Sequence, residues 1–172
     1  MGQDCEFMYI ALKQKEKISM SVLLSKRNLS KAEFVKSATN ICNETVVFCS
    51  KLSARYSRIF VPRITNMAFE VMEFTEKANS MMPDDEQRYK IRRENLLKAR
   101  ASLMSLDHEL SIVYGILMKN PSAAFQHKTG KEAERILGTM AQKLGELIDS
   151  ENNLIRAVLK SDKERIKKKI QQ

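Results

Sequence analysis

Lysine and arginine side chains recur at helical spacing in three parts of the chain, and their chemistry suits phosphate groups. Lys51, Arg55 and Arg58 lie four and three residues apart, so a continuous helix would place them on one face, with Arg63 just beyond. An arginine guanidinium presents flat pairs of N–H donors that match phosphate oxygens. Two further groups are Arg88, Lys90, Arg92, Arg93 and Arg100 in the middle of the chain, and Lys163, Arg165, Lys167, Lys168 and Lys169 near its C-terminus. This pattern predicts contacts to RNA or DNA.

The same spacing also fits a plainer explanation, in which these side chains are the solvated faces of helices. The net charge of +9, from 30 Lys and Arg against 21 Asp and Glu, favours a polyanionic partner but also promotes solubility. Aromatic side chains that could stack on bases are few, and Tyr56 and Tyr89 are the two near the basic positions. Any contact is therefore expected to be made to backbone phosphates, with little sequence selectivity.

Other kinds of chemistry find no motif in the sequence. His108 and His127 do not belong to the Glu-x-x-His pairs that hold metals in helical bundles, and no Gly-rich phosphate loop or nucleophile elbow occurs. Cys42 and Cys49 lie in an apolar pattern without metal-ligand spacing, which indicates reduced, buried thiols and a cytoplasmic protein. We therefore expect a non-catalytic protein without a metal or other cofactor.

The elements that must hold the basic residues are helices. Only 5 Gly and 3 Pro occur in 172 residues, so little of the chain is suited to turns. Ser30 and Glu33 form a capping box ahead of an apolar repeat, which predicts the start of a first helix. Because proline is favoured in the first turn of a helix, Pro62 is expected to end the first helix and begin a second.

A third helix is predicted between the loop at Pro83 and about Lys119, and a fourth follows Gly130, with Glu151 as an acidic interruption of its apolar repeat. Four amphipathic helices with short connections predict an all-α fold, an antiparallel up-down-up-down four-helix bundle. The expected organisation is an N-terminal extension or arm over residues 1–29, the bundle over residues 30–160, and a basic, frayed tail over residues 161–172.

Apolar residues outside the inner stripes of these helices predict self-association. Such surplus positions are Val46, Val47, Phe69, Phe74, Ile112 and Ile116. More apolar surface than a single bundle should expose favours a homo-oligomer. No segment approaches the roughly 20 continuous apolar residues of a membrane span, so a membrane is not an expected partner.

The fourth predicted helix reads AERILGTMAQKLGELI over residues 133–148, and together with the arginine-rich first hairpin it resembles the accessory variability determinant of diversity-generating retroelements. The similarity covers about residues 31–160, and the run Ile136-Leu137-Gly138 is its most specific piece. That family is related to bundle proteins encoded in intervening sequences of bacterial 23S ribosomal RNA genes. The resemblance implies a homopentamer that binds a reverse transcriptase and its template RNA. The alternative is an oligomeric helical adaptor that binds only protein.

Overall fold

The computed structural model describes residues 32–125 and 128–171, which form helices joined by short connections. The helices are α1 (Glu33–Lys51), α2 (Ala54–Ser80), α3 (Glu86–Lys119), α4 (Pro121–Ala124) and α5 (Gly130–Ile170). No strand forms in these two ranges, and Leu52 and Phe125 make an isolated bridge. The predicted all-α fold class is confirmed. None of the described helices combines the length and the apolar character needed to cross a membrane.

The boundary between the first two long helices differs from the prediction. α1 ends at Lys51, Leu52 and Ser53 have extended backbone, and α2 continues through Pro62. A proline inside a helix lacks the N–H that would bond to the preceding turn, and α2 accommodates this loss in its interior. The prediction that a first helix ends at Pro62 and a second begins there is therefore wrong. Ser30, the predicted cap of the first helix, lies outside the described residues.

Tertiary hydrogen bonds explain why the chain breaks after Lys51. The backbone N–H of Ser53 donates to the carbonyl oxygen of Ala124 at 2.8 Å, and its hydroxyl donates to the carbonyl oxygen of Ala123 at 2.8 Å. Leu52 is buried beside this contact. These hydrogen bonds to the short helix α4 thus replace the backbone bonds that a continuous helix would make. The periodicity of the local sequence does not reveal such bonds to a distant segment.

The later helices begin at side-chain caps. The Asp85 carboxylate accepts the backbone N–H of Arg88 at 2.8 Å at the start of α3, and the Thr129 hydroxyl accepts that of Glu132 at 3.3 Å at the start of α5. Such caps satisfy backbone donors that the first turn leaves free. The predicted limits of the third helix, and the predicted start of the fourth after the connection ending at Gly130, agree with these elements.

Apolar side chains from all four long helices meet in a shared core. Ile41 of α1, Ile64 of α2, Leu103 of α3 and Ile155 of α5 are fully buried. Burial of each such side chain contributes roughly 1.5–3 kcal/mol. α5 packs against α1, α3 and α4, and α3 also packs against α2. The core therefore holds α3 and α5, which carry most of the predicted basic residues, next to each other.

The C-terminal segment is a further correction to the prediction. Residues 161–170 continue α5 instead of fraying, because both Asp162 and Ile166 are buried. Asp162 accepts a hydrogen bond from Arg92 Nε at 2.6 Å. The ionic contact of Asp162 and the burial of Ile166, one helical turn apart, thus stabilise a charge-rich segment as helix.

Candidate nucleic-acid interface

The first predicted basic group is divided between two helices. Lys51 is the last residue of α1, whereas Arg55 and Arg58 lie on α2, so the expected stripe along one helix does not form. Arg63 Nη2 lies 3.1 Å from Glu109 Oε2 of α3, so a carboxylate partly neutralises this guanidinium, which is still exposed. The prediction of one continuous stripe is wrong, although Lys51, Arg55 and Arg58 are exposed.

Arg92 has a structural role inside the protein. Its Nε donates to Asp162 Oδ2 at 2.6 Å, and its Nη1 donates to the carbonyl oxygens of Ala78 at 2.5 Å and Met81 at 3.2 Å. The residue is 8% exposed, and its guanidinium carbon lies 5.8 Å from the centre of the Phe34 ring. Because its donors bind other parts of the chain, Arg92 is not available to phosphates, and its assignment as a nucleic-acid contact is wrong.

Several other predicted residues form exposed ion pairs. The carboxylate of Asp84 is surrounded by three of them, Arg88, Arg165 and Lys169, at 3.7, 3.5 and 3.7 Å. Lys90 Nζ lies 2.8 Å from Glu86 Oε1. Exposed pairs of this kind add little stability, but each acid locally reduces the positive potential. These residues therefore form a mixed-charge surface.

A second set of basic residues lies on the two neighbouring helices α3 and α5. On α5, Arg156, Lys160, Lys163 and Lys167 follow one another at spacings of four, three and four residues, so they share a face. On α3, Arg93 and Arg100 lie seven residues apart and share a face by the same rule. We call the residues of these two faces the basic seam: Arg93, Arg100, Arg156, Lys160, Lys163 and Lys167. On α5 this face extends about 16 Å.

Two side-chain bonds show how α3 and α5 lie against each other. Arg92 of α3 bonds to Asp162 of α5, and Arg100 Nε of α3 donates to Asn152 Oδ1 of α5 at 2.9 Å. Positions later in α3 thus meet positions earlier in α5. Arg93 is consequently placed near the middle of the α5 basic face, and the six residues border one groove.

The residues of the basic seam are not engaged by neighbouring carboxylates in the described part of the chain. Within residues 32–125 and 128–171, its lysines and arginines form no ion pair, and five of the six are exposed while Arg100 is half-buried. Sequence reasoning missed two members, Arg156 and Lys160. The regular spacing that leads from Arg156 to Lys167 could have revealed them. Lys168 is exposed too, but it lies on a different face of α5.

Glu151 is the most unusual ionisable group in the core. Its side chain is fully buried, and neither carboxylate oxygen has a hydrogen-bond partner among the described residues. Desolvation is the largest cause that shifts the pKa of Glu151, which is raised to about 7. The Ser37 hydroxyl lowers this pKa by a smaller amount, and its contact with Glu151 falls outside hydrogen-bond geometry. Because the side chain of Glu151 is fully buried, its ionisation bears on the stability of the fold.

Cys42 and Cys49 are buried, and their thiols are poorly reactive. Burial raises the pKa of the Cys42 thiol, and it raises the pKa of the Cys49 thiol to about 11, so both stay protonated at neutral pH. Across the described ranges, no group of three or more His, Cys, Asp and Glu side chains is placed to hold a metal ion.

The fold and the candidate site define an all-helical protein with an exposed, unpaired cationic groove. The chain matches no protein-family model, and comparisons with curated proteins and with solved structures give no significant match. The function is therefore argued from the groove itself.

Proposed function

We propose that this protein is a non-catalytic nucleic-acid-binding accessory protein whose basic seam contacts the phosphate backbone. The observation that carries the proposal is the set of exposed cations on facing sides of α3 and α5 that lack ion-pair partners among the described residues. Unpaired cations along a groove concentrate a positive potential and attract a polyanion. The surface around Asp84 differs, because three of its cations form ion pairs with the Asp84 carboxylate.

The proposal includes the arrangement of the helices. We infer an antiparallel up-down-up-down bundle of α1, α2, α3 and α5. Support comes from the opposite chain order of the contacts between α3 and α5, and from the same opposite order in the pairs Arg63–Glu109 and Ser102–Glu70 between α2 and α3. In that arrangement the basic seam lies on the outside of one helix pair.

Further partners are proposed from the family resemblance. The resemblance over about residues 31–160 implies a reverse transcriptase and its template RNA as partners, and we propose a homopentamer in the cytoplasm as the assembly. The exposed apolar residues Val46, Val47, Phe69 and Ile112 independently favour a homo-oligomer or a protein-only adaptor. A homo-oligomer would repeat the basic seam and raise the avidity for a long polyanion.

The proposal is tested by reversing one charge in the seam and one outside it. Lys163→Glu removes an unpaired cation from the groove. Lys36→Glu makes the same charge change at an exposed position on α1, away from the groove. We expect Lys163→Glu to weaken binding to RNA or DNA at low salt by about tenfold or more, through one lost contact and one added repulsion, and Lys36→Glu to have a much smaller effect. Fluorescence anisotropy with labelled oligonucleotides measures both. Equal losses would favour the protein-only adaptor.

A further inference from the structure

A small cavity lies in the groove between α3 and α5, beyond the end of the basic seam. Its volume is about 110 Å³. Its walls are mainly apolar and include two aromatic rings. The lining residues include Phe48, Asp107, Tyr114, Leu144, Gly145 and Ile148.

The cavity and the basic seam lie along the same faces of the two neighbouring helices α3 and α5. On α3, Arg93, Arg100 and Asp107 lie at intervals of seven residues, so they share a face. On α5, Gly145 and Asn152 are related by the same interval, and Asn152 bonds to Arg100. The distance along α3 from Arg100 to Asp107 is about 10 Å. A strand whose phosphates lie on the seam therefore passes within reach of the cavity.

The chemistry of the cavity differs from that of the seam. Asp107 is the charged residue among those that line it, and its carboxylate repels phosphate but accepts hydrogen bonds from amino groups. Phe48 and Tyr114 provide aromatic surface that can pack against a flat ring. The volume of about 110 Å³ is smaller than the roughly 150 Å³ of an apolar cavity that binds benzene, so the cavity can receive at most one single-ring base, with part of the ring left in the groove. These features suit a pyrimidine base that carries an exocyclic amine, which is cytosine.

Gly145 leaves one wall of this cavity open. A Cβ atom at Gly145 would meet nothing within 4 Å, so no packing contact in the described residues requires glycine. Glycine inside a helix is less favourable than alanine by about 1 kcal/mol. Gly138 lies on the same helix with equally open surroundings but does not line the cavity, which makes it a matched control.

We propose that this cavity receives one unpaired cytosine base while the basic seam holds the adjoining phosphates, so that the preferred ligand is single-stranded. The inference rests on the proposed nucleic-acid function and adds the class of ligand to it. A base in a duplex is stacked and paired, and freeing it costs a few kcal/mol, which disfavours duplex ligands. The groove thus combines backbone contacts that are independent of sequence with one position that recognises a base.

The test compares an oligodeoxycytidylate, an oligothymidylate of equal length and a duplex, each titrated with protein by fluorescence anisotropy. We expect the wild type to bind the cytosine strand about tenfold more tightly than the thymine strand, at the low end for a good base contact, and to bind the duplex more weakly. Gly145→Leu fills the cavity and should remove this preference, whereas Gly138→Leu should retain it.

A second variant keeps the test independent of the glycine substitutions. Asp107→Ala should abolish the cytosine preference while binding of the thymine strand stays equal or becomes tighter, because a repulsive charge is lost. Equal wild-type affinity for the two strands, still reduced by Lys163→Glu, would overturn the base cavity and leave the proposed function standing. Absence of wild-type binding to all three ligands would overturn both.

Discussion

Replacing Glu151 by glutamine is expected to remove a pH dependence from the stability of the fold. Glu151 is fully buried on α5 without a hydrogen-bond partner in the described residues, and its pKa is raised from 4.5 to about 7. On the helices packed against α5, Arg100 of α3 bonds to Asn152 and Glu44 of α1 pairs with Lys143. The main cause of the raised pKa of Glu151 is desolvation by burial.

The direction of the effect follows from proton binding. Between pH 4.5 and about 7 the folded protein keeps a proton on Glu151 that the unfolded chain has released, so stability falls as the pH rises through this range and levels off above it. At about 1.4 kcal/mol per pH unit, the raised pKa corresponds to roughly 3 kcal/mol. Glutamine stays neutral, so Glu151→Gln should be more stable than the wild type at about pH 8 by up to about that amount, and similar to it at pH 4.5.

Urea unfolding followed by circular dichroism at several pH values measures the effect. Glu164→Gln, the same substitution at an exposed position further along α5, is the control and should follow the wild-type profile. The reasoning is refuted if wild type and Glu151→Gln show parallel profiles of the free energy of unfolding between pH 4.5 and about 8.

Two further predictions concern packing and assembly. Asp162→Ala should lower the free energy of unfolding by about 3–5 kcal/mol, because it leaves the Arg92 guanidinium buried without its carboxylate. The double variant Arg92→Met with Asp162→Leu should recover most of this loss in urea unfolding, and an equally large loss in the double variant would contradict this account. Because Phe69 and Ile112 are exposed, we expect light scattering at micromolar concentration to show a homo-oligomer. Phe69→Asp or Ile112→Asp should dissociate this oligomer, and a monomeric wild type would exclude the prediction.

The helices could be predicted from sequence wherever local chemistry determines them. The cap at Asp85 and the stop at Asn120 lie where proline, acids and apolar spacing place them. The break at Leu52 and Ser53 could not be predicted, because it depends on bonds from Ser53 to Ala123 and Ala124, about 70 residues away. A pattern within one segment contains no information on such partners.

The candidate site was predictable in part for the same reason. Arg92 has the same residue type as Arg93 beside it, but the tertiary contact with Asp162 buries the first and leaves the second exposed. Arg156 and Lys160 share the helical spacing of Lys163, so the α5 face could have been found from sequence alone. Its meeting with Arg93 could not, because that requires the packing of α3 on α5.

The salt dependence of wild-type binding tests the central claim most directly. Each phosphate contact releases counterions, so a groove in which all six residues of the basic seam engage a single strand predicts a slope of log affinity against log salt of about −4. Changing both Arg156 and Lys163 to Glu should make this slope shallower by about 1.4, whereas Lys36→Glu should leave it unchanged. A wild type that shows no binding at about 50 mM salt, or a slope that the double variant does not alter, would contradict the assignment of the basic seam as a nucleic-acid interface.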